Sequence, residues 1–330
     1  MSTAIVVCVS ENEWAGFVAP NDLPDDLVMH RVSPAEGVDG IVAALSRTGA
    51  ATLMTCWSTP PLPADLRARA PGLRYVCHLC GTVRRLVPRA LIEQGLLVSN
   101  WADAHAFTVA EHCVALVLAG MRRLSAAHEQ LHHATGWSVG GPPPRSLRGR
   151  RVGLHGFGVV ARELARLLAP FGCSLSAFAP GDDDALLASR GVARAATVDA
   201  LYAASEVLVC LAPWTPRTQG SVDARVIGLL PRDALFVNVG RGAVVDEAAL
   251  AAAAASGRIQ VALDVYVEEP LPAASPLRAL TDAVLTPHVA GPTTDQQHAC
   301  GRVALDNLRA FARGQTVRGV VDLARYDTIT

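Results

Sequence analysis

The chain has 330 residues, more than one ordinary hydrophobic core organises, so two domains are expected. Apolar residues make up 51% and charged residues 18%, which excludes extended disorder. With 29 basic against 30 acidic residues the net charge is −1, which gives no electrostatic footprint for nucleic acid. Every basic residue is an arginine. Without lysine there is no Schiff-base chemistry of that amine, no Walker-type phosphate loop and no kinase-type ATP site.

The start, Met1 to Val7, has neither the basic region nor the apolar length of a signal peptide. The longest apolar runs, such as Cys113 to Met121, fall short of the roughly 20 residues that cross a bilayer. A cytoplasmic protein with no membrane partner is expected. Seven of the eight cysteines have mainly apolar neighbours and read as buried free thiols of a reducing compartment. Only Cys77-His78-Leu79-Cys80 has metal-like spacing. It lacks a second pair, so no metal is expected.

Short β-rich runs alternate with helix-like ones, the pattern of parallel sheets with crossover helices. The first strands are expected at Ala4–Val9, Leu27–Val32, Ala51–Cys56, Leu73–Leu79 and Leu96–Ser99, with helices such as Gly40–Arg47 and Ala64–Ala70 between them. A long helix is expected over Ala104–Leu124. Its Val109, Cys113, Leu116, Val117 and Gly120 form an apolar stripe suited to a core or a subunit contact. The Gly-, Pro- and Arg-rich stretch Thr135–Arg150 reads as a surface connection.

Six further strands are expected at Val152–His155, Leu175–Phe178, Val207–Leu211, Leu235–Val239, Val261–Asp264 and Val284–Thr286, the length of a doubly wound α/β domain. The last helix, about Thr294–Arg313, has no strand partner there. Its return to the first domain makes that domain discontinuous: 1–101 with 293–330, around 102–292.

The first strand of this second series runs into Gly156-Phe157-Gly158-Val159-Val160-Ala161. In a G-x-G-x-x-A turn the first glycine permits the tight turn, the second lets backbone approach a diphosphate, and the alanine lets the helix pack on the strand. Free N–H groups and the helix dipole then hold the anion. Ala161, Leu164, Ala165 and Leu168 continue the helical period, the context that makes the motif a dinucleotide site. The acid expected at the end of the next strand, for the ribose hydroxyls, is replaced by Ala179, followed by Pro180-Gly181-Asp182-Asp183-Asp184. Either the site takes the 2′-phosphate of NADP, or a later aspartate serves the ribose of NAD. Three aspartates repel a 2′-phosphate and no arginine follows until Arg190, so NAD is the expected cofactor. The bland reading of the aspartates is a solvated helix start.

Three later strand ends carry polar residues that packing does not explain: Asn238-Val239-Gly240-Arg241-Gly242, then Asp264 with Glu269-Pro270 beyond, then Pro287-His288. In a parallel sheet all emerge at one carboxyl edge. The competing reading is a structural ion-pair cluster.

These motifs resemble the D-isomer-specific 2-hydroxyacid dehydrogenase family. Val237 through Glu247 resembles its arginine signature, Ala262 through Tyr266 with Glu269-Pro270-Leu271-Pro272 its glutamate signature, and Thr286 through Gly291 its histidine signature. Asn100 through Glu111 and Leu211 through Pro216 also match, so the similarity covers nearly the whole chain. The resemblance implies a Rossmann dinucleotide-binding domain, a smaller flavodoxin-like α/β substrate domain, and a site in a cleft between them. It implies hydride transfer between NAD(P) and a 2-oxo acid/D-2-hydroxy acid pair, carried out by a homodimer.

It also implies roles. Arg241 binds the substrate carboxylate and carbonyl oxygen with its planar fork. His288 is the general acid in reduction, and Glu269 favours its charged form. Asp264 holds the nicotinamide carboxamide. Cofactor contacts are implied for Gly156, Phe157, Gly158, Val159 and Val160, for Ala179, and for Leu211, Ala212, Pro213 and Thr218. They are also implied for Val239, Gly240, His288 and Gly291.

For the substrate, the resemblance places Cys80, Gly81 and Thr82 in a carboxylate-binding loop, with Trp57 beside it. The aspartate-asparagine pair common in that loop is replaced by Arg84-Arg85. Arg84, with Arg85, either neutralises a second anionic group on the substrate or is a solvated or paired arginine. His112 is expected to be a hydrogen-bonded interface residue, His155 to be packing, and His128, His132 and His133 to be solvated.

Two other readings stay open. The family's formate or phosphite branch is one, although formate enzymes carry glutamine where this chain has Glu269 and the phosphite branch needs a loop lysine. The other is an NAD-sensing, corepressor-like binding protein that keeps the same residues.

Overall fold

The computed structural model describes residues 2–133, 137 and 141–328. Of the expected surface connection, positions 135, 136 and 138–140 lie outside the described residues. Two compact units result, Met1–His105 with Pro292–Thr330, and Ala106–Gly291.

The strands of the first unit are β1 (Thr3–Cys8), β2 (Leu27–Arg31), β3 (Thr52–Thr55), β4 (Tyr75–His78) and β5 (Leu97–Ser99). Those of the second are β6 (Arg151–His155), β7 (Ser174–Phe178), β8 (Val192–Arg194), β9 (Val207–Cys210), β10 (Leu235–Asn238), β11 (Gln260–Leu263) and β12 (Val284–Leu285). The helices ahead of the second unit are α1 (Glu11–Phe17), α2 (Gly37–Thr48), α3 (Leu66–Arg69) and α4 (Arg89–Glu93), and the second unit opens with α5 (Ala106–Met121) and α6 (Leu124–His133). They continue with α7 (Val159–Leu168), α8 (Asp184–Ala188), α9 (Val198–Ala204), α10 (Ala224–Leu229), α11 (Glu247–Ala255), α12 (Thr294–Ala312) and α13 (Leu323–Thr328).

The first unit is one parallel sheet in the order β2-β1-β3-β4-β5. Strands such as Ile5-Val6-Val7-Cys8 are buried on both faces, as continuous apolar runs in a parallel sheet require. Residues of one face pack against Ile41, Ala44 and Leu45 of α2, and those of the other against Phe17 of α1 and Ala304, Leu305 and Leu308 of α12. The returning helix therefore completes the core of this unit.

The second unit is a parallel sheet in the order β12-β11-β10-β9-β6-β7-β8. Strand order reverses between β6 and β9, the switch point at which doubly wound folds place ligands beside the carboxyl edge. Ala161, Leu164, Ala165 and Leu168 of α7 are all buried, as their spacing demands.

Two expectations are corrected. The sheet has seven strands, not six. The extra one, β8, is only Val192-Ala193-Arg194, with two residues exposed, too short and polar to show a period. The long helix expected to reach Leu124 stops at Met121. Arg123 takes φ +54, outside the helical region, and its guanidinium reaches Asp282 (Nη2–Oδ2 2.9 Å) and the Pro142 carbonyl (2.8 Å). The stripe of α5 lies in the core of its own unit beside β6 and α7, so its apolar character is accounted for by packing.

No helix among the described residues is long and apolar enough to cross a membrane. All eight cysteines are free thiols, and no group of three or more metal-type side chains occurs among the described residues. Cys77 and Cys80 are fully buried, and His78 shares a hydrogen bond with Thr55 Oγ1 at 3.0 Å, which is packing chemistry.

Candidate functional site

The residues singled out at the ends of β10, β11 and β12 are brought to one edge by register. Asn238 pairs with Leu263 and Leu263 with Leu285, so the segments that follow leave the sheet side by side. Asn238, buried, accepts from Gly240 N at 3.0 Å and donates to the Arg241 carbonyl at 3.2 Å, which shapes the turn that carries Arg241. The Arg241 guanidinium donates from Nη1 to the Gly240 carbonyl at 2.6 Å.

Glu269 and His288 are paired. Oε2 of Glu269 lies 2.6 Å from Nδ1 of His288, and Oε1 accepts from Tyr266 N at 3.1 Å. The carboxylate is thus anchored at one oxygen and faces the ring with the other. With Nδ1 engaged, the network assigns its proton to that side and leaves Nε2 for exchange. His288 is 44% exposed and Glu269 36% exposed, so the pair is open to small molecules. His288 itself takes φ +54.

The loop that holds His288 is fastened by Asp264. Its Oδ1 accepts from Thr286 Oγ1 (2.7 Å) and Val289 N (2.9 Å), and its Oδ2 from Ala290 N (3.0 Å). His112 Nε2 bonds Thr286 Oγ1 at 3.1 Å and lies 3.5 Å from Asp264 Oδ1, so its partner is this loop. Asp264, expected at the carboxamide, is fully buried, and its hydrogen bonds hold the Thr286 side chain before His288 and the backbone N–H groups of Val289 and Ala290 after it. Burial alone would raise its carboxyl, but hydrogen bonds from His112, Thr286, Val289 N and Ala290 N outweigh it and keep it below its ordinary 3.8.

The stability that Asp264 contributes is therefore complete above about pH 4, where the unfolded carboxyl ionises, and is lost as pH falls through its lower native value. Asp264→Asn is expected to cost about 1–3 kcal/mol at neutral pH and to flatten this acid limb, read by urea unfolding from neutral to acid pH. A variant as stable as the parent at pH 7 contradicts this role.

At the other half of the edge, Gly156 takes φ +105, and a Cβ there would stand 3.0 Å from the Leu211 carbonyl oxygen, so glycine is required. Gly158, at the N-cap of α7, has φ −70, and a Cβ built there meets no protein atom within 4 Å. Internal packing does not demand glycine at 158. A ligand lying against the helix N-terminus does, and that is the fit a dinucleotide diphosphate needs.

Of the other expected cofactor residues, Phe157, Ala179, Ala212 and Val239 are buried, and Val159 is exposed at the first turn of α7 with Val160 behind it. Leu211 and Pro213 follow β9 at the same edge. Thr218 closes their turn by donating to the Pro213 carbonyl at 2.5 Å. Gly240 and Gly291 flank the loops just described. His155 is buried and bonded to Tyr202 through Nδ1 at 3.1 Å; burial pushes its ring down to about 4, in keeping with packing.

In the first unit, Asn100 Nδ2 donates to the Gly81 carbonyl at 2.8 Å, fixing the Cys80–Thr82 loop. Cys80 is buried, with its Sγ 3.1 Å from that of Cys56. Arg84 donates from Nε to the Tyr326 carbonyl at 2.8 Å and lies over the Tyr326 ring, whereas Arg85 is exposed. Trp57 is 58% exposed and meets Phe17 and Trp101 edge-on. Sequence reasoning gave neither Thr286 nor Arg162 a role of its own. The first could have been suspected from its place just after the short strand β12, which pairs with β11, the strand that runs into Asp264.

The profile of "D-isomer specific 2-hydroxyacid dehydrogenase, NAD binding domain" matches residues 114–290. A D-3-phosphoglycerate dehydrogenase of Mycobacterium bovis is 31% identical over 267 residues, 81% of this chain and 50% of that protein, so the chain spans about half the length of this curated relative. A glyoxylate reductase of Aeropyrum pernix is 30% identical over 285 residues, 84% of this chain and 85% of the relative. Among solved structures, an NADPH-dependent glyoxylate/hydroxypyruvate reductase of Sinorhizobium meliloti in complex with citrate superposes with a TM-score of 0.78 at 26% identity, covering 99% of this chain and 100% of the other.

Proposed function

The chain belongs to the D-isomer specific 2-hydroxyacid dehydrogenase family, and from that premise we propose that it is an NAD-dependent oxidoreductase interconverting a 2-oxo acid and a D-2-hydroxy acid. The observation that carries the reading is the Glu269–His288 contact of 2.6 Å on the strand edge that also bears Arg241.

A bound nicotinamide supplies the hydride, or takes it in the reverse direction. The rest falls to the protein. Arg241 receives the substrate carboxylate on its guanidinium fork, which also draws the carbonyl into line. His288 delivers a proton from Nε2 to the carbonyl oxygen as that oxygen gains charge, and takes it back in oxidation. Glu269 holds the opposite ring nitrogen and so fixes the orientation of the ring that makes the delivery. Asp264, through Thr286, Val289 and Ala290, keeps that ring in place. Atoms balance: hydride plus proton converts the ketone to the alcohol.

In the first unit, the backbone of Cys80–Thr82 offers N–H groups to an anionic substrate. Arg84 is an anchor for α13, which leaves the exposed Arg85 as the loop's candidate for a second anionic group. Exposed Phe107, Leu124 and Leu131 on α5 and α6 are apolar surface that a second copy would cover, in support of a homodimer. Eight free thiols suit a cytoplasmic location.

The test is a panel of 2-oxo acids with NADH and NADPH, with chiral analysis of the product. Oxidation of NADH coupled to formation of a D-2-hydroxy acid is expected. An L-product, or no turnover of any 2-oxo acid, defeats the reading.

A further inference from the structure

β7 ends at Phe178, and the next residue, where a doubly wound fold places the acid for the ribose hydroxyls, is Ala179. The chain then folds back. Asp182 N donates to the Ala179 carbonyl at 3.2 Å, returning Asp182 toward the strand end. Its Oδ1 accepts from Arg162 Nη2 at 2.9 Å, and Arg162 Nε donates to the Phe157 carbonyl at 3.2 Å. One guanidinium therefore joins this carboxylate to the middle of the Gly156–Gly158 turn. Arg194 fixes the backbone of the fold-back from the other side, donating to the carbonyls of Ala179 (2.7 Å) and Asp182 (2.6 Å).

The neighbouring acids are occupied elsewhere. Asp183 accepts from Ala185 N at 3.1 Å and caps α8, and Asp184 is bonded by Arg194. Asp182 differs: it is only 23% exposed, and its Oδ2 accepts no hydrogen bond among the described residues.

We infer that Asp182, fastened by Arg162, stands in for the missing strand-end acid and makes the site select the unphosphorylated ribose, an inference that rests on the dinucleotide reading of the second unit. Oδ2 has lone pairs for a ribose hydroxyl. A 2′-phosphate would bring further negative charge against the same carboxylate. Arg162 commits Nε to the Phe157 carbonyl and Nη2 to Asp182, so its charge is already paired with this carboxylate. Asp182 is thus a binding residue and Arg162 a positioning residue.

The experiment is titration of the intact protein with NADH and with NADPH, comparing dissociation constants by calorimetry. The parent is expected to favour NADH by about tenfold or more, the weight of a charge-assisted hydrogen bond. Asp182→Asn and Asp182→Ala should each erode that ratio by about tenfold, with weaker NADH and tighter NADPH. Arg162→Met should erode it less, and Asp183→Asn, which keeps the helix cap, should leave it unchanged. Asp182→Asn preserves shape, so a folding loss in the alanine variant does not decide the outcome. A parent that prefers NADPH, or Asp182 variants that keep the parental ratio, overturns the inference alone. Failure of the parent to bind either dinucleotide overturns the reading of the unit itself.

Discussion

Replacing His288 with asparagine is expected to lower kcat by roughly 10²–10⁴, the usual worth of a positioned proton donor, far more than any change in dinucleotide affinity. Asparagine is the informative choice because His288 sits at φ +54, a conformation asparagine adopts readily. The loop therefore need not shift, and the Asp264 contacts to Val289 and Ala290 remain. What is lost is the ring nitrogen opposite Glu269 that can carry a proton to substrate. Steady-state kinetics with a saturating 2-oxo acid, beside a dinucleotide titration, read both quantities. A variant with parental kcat removes His288 from the chemistry.

Arg241→Lys is expected to lower kcat/KM by roughly 10- to 100-fold, the cost of one or two charge-assisted hydrogen bonds. The charge survives, but the planar fork that meets both oxygens of a carboxylate does not. The Asn238 side chain shapes the turn through its contacts to the backbone of Gly240 and Arg241 at 3.0 and 3.2 Å, so the substitution leaves the backbone in place and acts at the side chain. The effect should fall mainly on KM, with a smaller loss in kcat if the fork also steers the carbonyl. Equal kinetics for lysine and arginine would mean that a point charge suffices and that no bidentate contact is made.

What could be read from the residues alone follows from which constraints are local. The Gly156–Ala161 turn was legible because positive φ at Gly156 and the buried face of α7 are demands that a short stretch makes on its own residues. The helix α1 was legible in principle as well. Ser10 and Glu13 form a capping box before it, a signal that went unread. The break after Met121 was not, because the partners that hold Arg123 there are Asp282 and Pro142, outside the helix, and the nearby Gly120 lies in the buried stripe of α5 rather than at the positive-φ position. β8 has three residues and no period. Of the candidate site, the Glu269–His288 pairing followed from motif order, but the anchoring of Asp264 by His112 and Thr286 joins residues far apart in sequence. The arginine that meets Asp182 was not foreseen: only an arginine for a 2′-phosphate was considered, and only downstream of the aspartates, whereas Arg162 precedes Asp182 by twenty residues, in the helix that follows the phosphate turn.

The central claim is that a proton from the His288–Glu269 pair and a hydride from nicotinamide reach the same carbonyl group. Its most direct test is a single turnover with reduced nicotinamide carrying deuterium at C4, followed by mass and chiral analysis of the product. The account predicts the label on C2 of a D-2-hydroxy acid, transferred by the parent and suppressed in His288→Asn. A protein that binds the dinucleotide firmly, yet transfers no label to any 2-oxo acid, would be a sensor of the cofactor and would contradict it.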